Sequence, residues 1–147
     1  MCIRDRNNAY YGIAYWPQSG NATVVGTIDH VFVANNSTGG IGIDTALAAG
    51  SSATVSVSNS VASNNSNVSN NSNGIYSNGV GGTVTTTIDN DQISNNSYGV
   101  NVNTATVLLS RSVITENSQY GINNGGTVDT FQDNRSYTCL LYTSRCV

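Results

Sequence analysis

Two carboxylates and one arginine lie close enough along the chain to suggest chemistry. Asp89 and Asp91 are separated by one residue, and Arg111 follows in the next repeat of the sequence. Residues i and i+2 of an extended strand point to the same side, so both carboxylates are expected to reach one ligand. A carboxylate pair at a suitable separation can protonate and attack a glycosidic bond. The simpler interpretation, which we prefer, is two acids that cap turns and a solvated arginine.

Adjacent aromatic residues suggest a second kind of chemistry. Tyr15 and Trp16 lie in a long connection, and flat aromatic faces can stack on sugar rings. Either they contact carbohydrate or, more simply, they cover an edge of the fold. His30 is the only histidine, and we interpret it as a structural corner residue rather than a base.

These residues belong to a sequence that repeats, and such repeats indicate stacked structural units. Four segments superpose, beginning at Val24, Ala53, Val84 and Ala105, and each is followed by a glycine and an aliphatic residue. We expect the glycines at turns that open a strand; they are Gly12, Gly40, Gly74, Gly99 and Gly121.

The aligned columns predict the elements of each repeat. The column Ile28, Val57, Ile88 and Leu109 alternates with mostly polar neighbours, which is typical of a half-buried strand. The next column is polar, and the chain is expected to bend there, at His30, Asn59, Asn90 and Arg111. A second short strand should then point inward at Val33, Ala62, Ile93 and Ile114.

A column of asparagines marks a second corner. It contains Asn36, Asn65, Asn96 and Asn117. Asparagine tolerates left-handed backbone geometry, and stacked amides can form a ladder of hydrogen bonds. Three strands and three corners per repeat predict a triangular coil, with equivalent strands of successive coils paired roughly 4.8 Å apart.

The rhythm V-x-V-x-N-S-x-x-x-x-N-x-x-G-I resembles the right-handed parallel β-helix repeat of the pectate-lyase-like superfamily over residues 7–138. The resemblance implies an all-β solenoid of about four to five coils. No amphipathic capping helix is evident at either end, so we interpret the chain as an uncapped fragment that packs against neighbouring coils of a longer parent chain. Lyases of this fold hold Ca²⁺ with acidic residues and use an arginine as base, but their signature motifs are missing here.

The two ends differ from the middle. Residues 1–6 (MCIRDR) and 139–147 (CLLYTSRCV) resemble translated transposase mosaic-end adapter from sequencing libraries, and we expect them to be non-native. All three cysteines lie in these ends, so they do not indicate a redox compartment. Between them, two arginines and seven acids leave a net charge of −5, which disfavours nucleic-acid binding. No apolar run approaches the roughly 20 residues of a membrane helix.

The leading hypothesis is a non-catalytic structural or carbohydrate-contacting scaffold of a secreted or surface protein, a localisation that the resemblance alone implies. The alternative is a polysaccharide lyase or glycoside hydrolase whose catalytic coils lie mostly outside this chain. A second alternative is an adhesin or autotransporter passenger. The expected partner is polysaccharide. No catalytic residue, metal ligand or cofactor is assigned, and Ca²⁺ is expected only if the protein is a lyase. Candidate substrate-binding residues are Tyr15, Trp16, Asp89, Asp91 and Arg111.

Overall fold

The computed structural model describes residues 3–66 and 71–136, and within these ranges every regular element is a β-strand. Val, Ile and Thr are frequent in the strands, where their branched side chains pack well on a pleated surface. The strands are β1 Ile3–Arg6, β2 Tyr11–Tyr15, β3 Thr23–Asp29, β4 Val31–Ala34, β5 Gly39–Asp44, β6 Ser52–Ser58, β7 Val61–Ser63, β8 Asn73–Asn78, β9 Thr83–Asp89, β10 Gln92–Ser94, β11 Tyr98–Ser110, β12 Val113–Thr115, β13 Tyr120–Thr130 and β14 Arg135–Ser136.

The strands form three stacks, and every pairing is parallel. Face A contains β3, β6, β9 and the second halves of β11 and β13. Face B contains β1, β4, β7, β10, β12 and β14, and face C contains β2, β5, β8 and the first halves of β11 and β13. Because β11 and β13 run from face C into face A, these two faces form one curled sheet. This arrangement is compatible with a parallel β-solenoid.

The register confirms that equivalent side chains of successive repeats lie over one another. On face A, Ile28 pairs with Val57, Val57 with Ile88, and Ile88 with Leu109. On face B the predicted inward column is aligned in the same way. Its members, at most 2% exposed, are Val33, Ala62, Ile93 and Ile114. The core is therefore built from aliphatic columns, as the two-residue periodicity predicts.

Both predicted corners are present, and each is made by a residue in the left-handed region. At the first corner, positive φ angles of 47–57° occur at His30, Asn59, Asn90 and Arg111. At the second corner the left-handed residue is the one before each ladder asparagine, and φ is 53–58° at Asn35, Asn64, Asn95 and Glu116. Asparagine adopts this conformation more readily than most residues, which explains the Asn-Asn pairs.

The predicted asparagine ladder runs through the second corner. Both the backbone N–H and the Nδ2 group of Asn36 donate to Oδ1 of Asn65, at 3.1 and 3.2 Å. Asn65 bonds to Asn96, and Asn96 to Asn117, in the same way. All four asparagines are at most 3% exposed. Their amides therefore satisfy buried backbone donors, as buried polar groups require.

The structure places the five expected turn glycines within strands, each at the second position of its strand or close to it. None has a positive φ. What four of these positions require is the absence of a side chain. A Cβ on Gly74 would lie 2.5 Å from Cγ2 of Ile93 and 2.8 Å from Nδ2 of Asn96, and the same crowding occurs at Gly12, Gly40 and Gly99. The glycines leave room for the ladder amides.

The third corner differs in length between coils. It is a loop of residues 45–51 in one coil and of residues 79–82 in the next, and β11 then passes through it as a continuous strand. Its loops also stack, since the backbone N–H of Thr45 donates to the carbonyl of Asn78 at 3.0 Å, and that of Gly79 to Asn103 at 2.9 Å. Residues 3–6, expected to be non-native, form β1 and pair with Val31–Ala34. Their origin stays a prediction, and residues 139–147 lie outside the described ranges.

Candidate functional site

An open groove of about 190 Å³ lies on the outer side of face C, near β2, β5 and β8. Its lining is mainly aromatic, with one carboxylate. The lining residues are Tyr10, Tyr11, Ala14, Tyr15, Trp16, Thr38, Gly42, Asp44 and Tyr76. Pockets of this composition, with apolar walls and few polar groups, are typical of ligand-binding sites.

One wall of the groove forms because β5 lacks side chains where Tyr11 crosses it. A Cβ on Gly39 would lie 2.5 Å from Cε1 of Tyr11, and one on Gly42 would lie 2.9 Å from Cδ1. The Tyr11 ring therefore reaches across a whole coil towards Tyr76. The two rings are parallel within 5°, with centroids 6.4 Å apart.

The other wall projects from the connections next to β2. Tyr10 and Trp16 stack with ring centroids 5.2 Å apart and an interplanar angle of 6°. They are 47% and 36% exposed, so a large part of each ring faces solvent. Tyr10 also meets Tyr11 edge to face, at 5.7 Å. The two stacked pairs thus form one continuous aromatic surface.

The polar groups of the groove have fixed orientations. Oδ1 of Asp44 accepts the backbone N–H of Ala46 at 2.8 Å and Nδ2 of Asn78 at 2.9 Å. Burial raises the pKa of Tyr11, and burial together with the nearby Asp44 carboxylate raises the pKa of Tyr76. Both phenols therefore remain neutral donors at physiological pH.

The structure separates the two aromatic candidates of the sequence. Both border the groove, but Trp16 presents an exposed ring to it, whereas Tyr15 lies in the inward column with Ile43 and Ser77 and packs against the core. The hydroxyl of Tyr15 is buried without a hydrogen-bond partner. The sequence indicated this position, because Tyr15 follows two residues after Ile13, which belongs to the interior column. In a strand both side chains point to the same side.

Asp89 and Asp91 do not converge on one ligand, so the parity argument is wrong here. The left-handed turn at Asn90 lies between them and breaks the alternation of the strand. Asp89 remains at the surface, where it accepts Ser110 Oγ at 2.6 Å and pairs with the Arg111 guanidinium. Those bonds lower the pKa of Asp89. Asp91 is only 3% exposed.

Asp91 belongs to a second ladder at the first corner. In this ladder a side-chain oxygen accepts the backbone N–H of the equivalent residue one coil earlier. Oδ1 of Asp91 accepts Ser60 N at 2.6 Å, and Ser112 Oγ in turn accepts Asp91 N at 3.1 Å. Oδ2 of Asp91 has no partner, and burial raises the pKa of this carboxyl to about 7. Asp91 therefore acts as a capping group in the corner.

His30 lies at the same corner, in the left-handed column that precedes this ladder. Its Nδ1 lies 2.6 Å from Oδ2 of Asp29, whose other oxygen accepts Ser58 Oγ and Asn59 Nδ2. The bonds from Asn59, His30 and Ser58 lower the pKa of Asp29. These contacts are consistent with the expected structural role of His30.

The sequence interpretation missed Tyr10, Tyr11, Asp44 and Tyr76. They come from three coils and meet only after the outward positions of face C are aligned. The glycine–aliphatic pairs supplied that alignment, since Tyr11 precedes Gly12 and Tyr76 follows Ile75.

Among the described residues, no group of three or more His, Cys, Asp or Glu side chains is placed to hold a metal ion. The described residues also include no helix with the length and apolar character needed to cross a membrane. Comparison of the chain with protein-family models, curated proteins and solved structures finds no match.

Proposed function

We propose that this chain is a non-catalytic segment of a right-handed parallel β-helix that binds a glycan in the groove of face C. The aromatic groove is the observation that carries the proposal. The right-handed sense is supported by the strong general preference of parallel crossover connections for that hand. Likeness to the pectate-lyase superfamily, and with it a secreted or surface location, rests on the repeat rhythm.

The groove suits a sugar better than a purely apolar ligand. Trp16 and Tyr10 present exposed flat rings, while Asp44 and the phenols of Tyr11 and Tyr76 supply oriented acceptors and donors. A pyranose ring has the same amphipathic character, with an apolar C–H face and a rim of hydroxyls. Aromatic side chains with a polar group are favoured at such half-wet surfaces.

A glycan-binding screen with three variants tests this proposal. Trp16→Ala and Tyr76→Ala should each lower the affinity for a bound oligosaccharide by roughly tenfold, equivalent to about 1.4 kcal/mol. Phe131→Ala is the matched control, since Phe131 is also an exposed aromatic residue but lies outside the groove. Undiminished binding by both groove variants, or a protein that binds no glycan, would contradict the proposal.

The raised pKa of Asp91 favours the enzymatic alternative. A carboxyl with a pKa of about 7 has the value of a general acid. Its enclosure and its bond to the Ser60 backbone favour a structural role instead. Turnover of a polyuronide or neutral glycan that Asp91→Ala abolishes, with the fold retained, would establish the enzyme.

A further inference from the structure

We infer that the binding surface extends from the groove along face C to Tyr98 and Tyr120, and that its ligand is an uncharged glycan chain lying along the stack of coils. This inference rests on the proposed glycan-binding function. It adds the direction, the extent and the charge class of the ligand.

A line of hydrogen-bonded polar side chains leads away from the groove. Nδ2 of Asn73 donates to the Tyr11 hydroxyl at 3.5 Å, Nδ2 of Asn101 donates to Asn73 Oδ1 at 2.8 Å, and Nδ2 of Asn123 donates to Asn101 Oδ1 at 3.0 Å. Asn101 pairs in register with Tyr76, which lines the groove, and Asn123 pairs with Asn101. The line therefore continues the groove across the coils of face C.

Four strand-to-strand steps separate Tyr11 on β2 from Asn123 on β13, which is about 19 Å at the usual strand spacing. Asn73 is only 5% exposed and connects the line to Tyr11. The amides of Asn101 and Asn123 each have two N–H groups and two lone pairs, so one bond to each neighbour leaves positions for a ligand. Asn101 and Asn123 are both partly exposed. A row of fixed donors and acceptors matches the hydroxyls of an extended glycan.

Aromatic rings lie at both ends of this line. At the far end Tyr98 and Tyr120 stack in register, with centroids 5.7 Å apart and planes within 8°. Tyr98 shares its column with Asn73, which bonds to Tyr11. The outer side of face C thus carries stacked aromatic rings at both ends of a line of amides.

The charges of face C determine the ligand class. Within β2, β5, β8, residues 98–103 of β11 and residues 120–125 of β13, the only ionisable group besides tyrosine is Asp44. A polyuronide would meet this carboxylate and find no cation on these strands. Burying a charge without a partner is costly, so a neutral chain is favoured.

The inference is tested by titration with neutral gluco-, manno- and xylo-oligosaccharides, from disaccharide to hexasaccharide. Oligogalacturonates of matching length provide the charged comparison. The affinity for one neutral series should rise by about tenfold with length, and oligogalacturonates should bind more weakly. Phe131→Ala, at an exposed aromatic residue outside face C, should leave the affinity unchanged at every length. Asn101→Ala and Tyr120→Ala should remove the gain with length. Tyr120→Phe, which keeps the ring, should retain part of it.

Three results separate this inference from the function on which it rests. If affinity is independent of length but Trp16→Ala still abolishes it, the groove binds glycan and the extended surface is wrong. Equal or tighter binding of oligogalacturonates would overturn the charge class. If no neutral oligosaccharide binds, both the inference and the proposed function fail for these sugars.

Discussion

The backbone N–H and the side-chain amide of Asn65 both donate to Oδ1 of Asn96, each at 3.0 Å. Asn65 in turn accepts both corresponding bonds from Asn36. The Asn65 side chain therefore satisfies two buried donors of Asn36, its backbone N–H and its side-chain amide. Losing it leaves those donors without partners in a part of the molecule that water does not reach.

Asn65→Ala should destabilise the protein by about 3 kcal/mol, because at least one buried backbone N–H is left unpaired. Chemical denaturation followed by circular dichroism measures this. Asn64→Gly is the control, since Asn64 has a φ of 53° that glycine adopts freely. We expect that variant to retain its stability within about 1 kcal/mol. Equal losses in the two variants would show that the ladder contributes little.

Gly74→Ala should destabilise the protein by about 2–3 kcal/mol, because its Cβ would lie 2.6 Å from the carbonyl oxygen of Gly99 and the coils would have to separate. Gly26 offers a matched control on face A, where an added Cβ meets nothing within 4 Å. Gly26→Ala should be neutral or stabilising by about 0.5 kcal/mol. Thermal unfolding of both variants distinguishes crowding from a general intolerance of alanine.

Asp91→Asn should remove a pH dependence of stability. The pKa of Asp91 is raised from 3.8 to about 7, so the folded state retains a proton that the unfolded state releases between these values. The stability of the wild-type protein should therefore fall as the pH rises from 4 to 7, by on the order of 2–4 kcal/mol. The asparagine variant keeps the acceptor for Ser60 and has no such loss.

Unfolding measured at pH 4 and at pH 8 checks this prediction. The two proteins should be similar at pH 4, and the variant should be the more stable at pH 8. Asp129→Asn, a change at an exposed acid, should show no such difference. An unchanged pH profile in Asp91→Asn would mean that another group is responsible.

Trp16 is the only tryptophan, so its fluorescence reports directly on the groove. A bound oligosaccharide should reduce quenching by acrylamide, because the ligand covers an indole that is 36% exposed. The Tyr76→Ala variant should lose this protection, and Phe131→Ala should keep it. Protection that persists in Tyr76→Ala would place the ligand elsewhere.

Arg111→Asn should leave stability within about 1 kcal/mol, because an exposed ion pair contributes little and asparagine relieves the positive φ of 47°. Glycan affinity should not change, since Arg111 does not line the groove. Titration and unfolding of this one variant address both points. A large loss of affinity would favour the site first suggested by Asp89, Asp91 and Arg111.

The strand register was predictable because a single periodicity determines it. Once Ile28 is aligned with Val57, the pairing of neighbouring strands follows along their whole length. The bend at His30 and Asn59 was equally visible, since polar residues recur there in every repeat. Each of these local signals recurs in every repeat, so the alignment of the repeats is unambiguous.

The groove was less predictable because it depends on the absence of side chains. Tyr11 reaches Tyr76 only because Gly39 and Gly42 lie between them. The burial of Asp91 depends on the positive φ of Asn90, which reverses the side to which the next residue points. The recurring polar column predicts the bend at Asn90, but residue types at a fixed spacing show neither the side to which Asp91 turns nor the space that the two glycines leave.

The three corners of the coil differ in how they accept change. Two are fixed by left-handed residues and by ladders of buried polar groups, whereas the third ranges from the seven residues of 45–51 to an unbroken strand in β11. Foreign peptides inserted next to Leu47 and Val80, which are 55% and 59% exposed, should therefore be displayed with the least effect on the core. Several such inserts would stand side by side at the strand spacing, so this edge offers a regular scaffold for multivalent presentation.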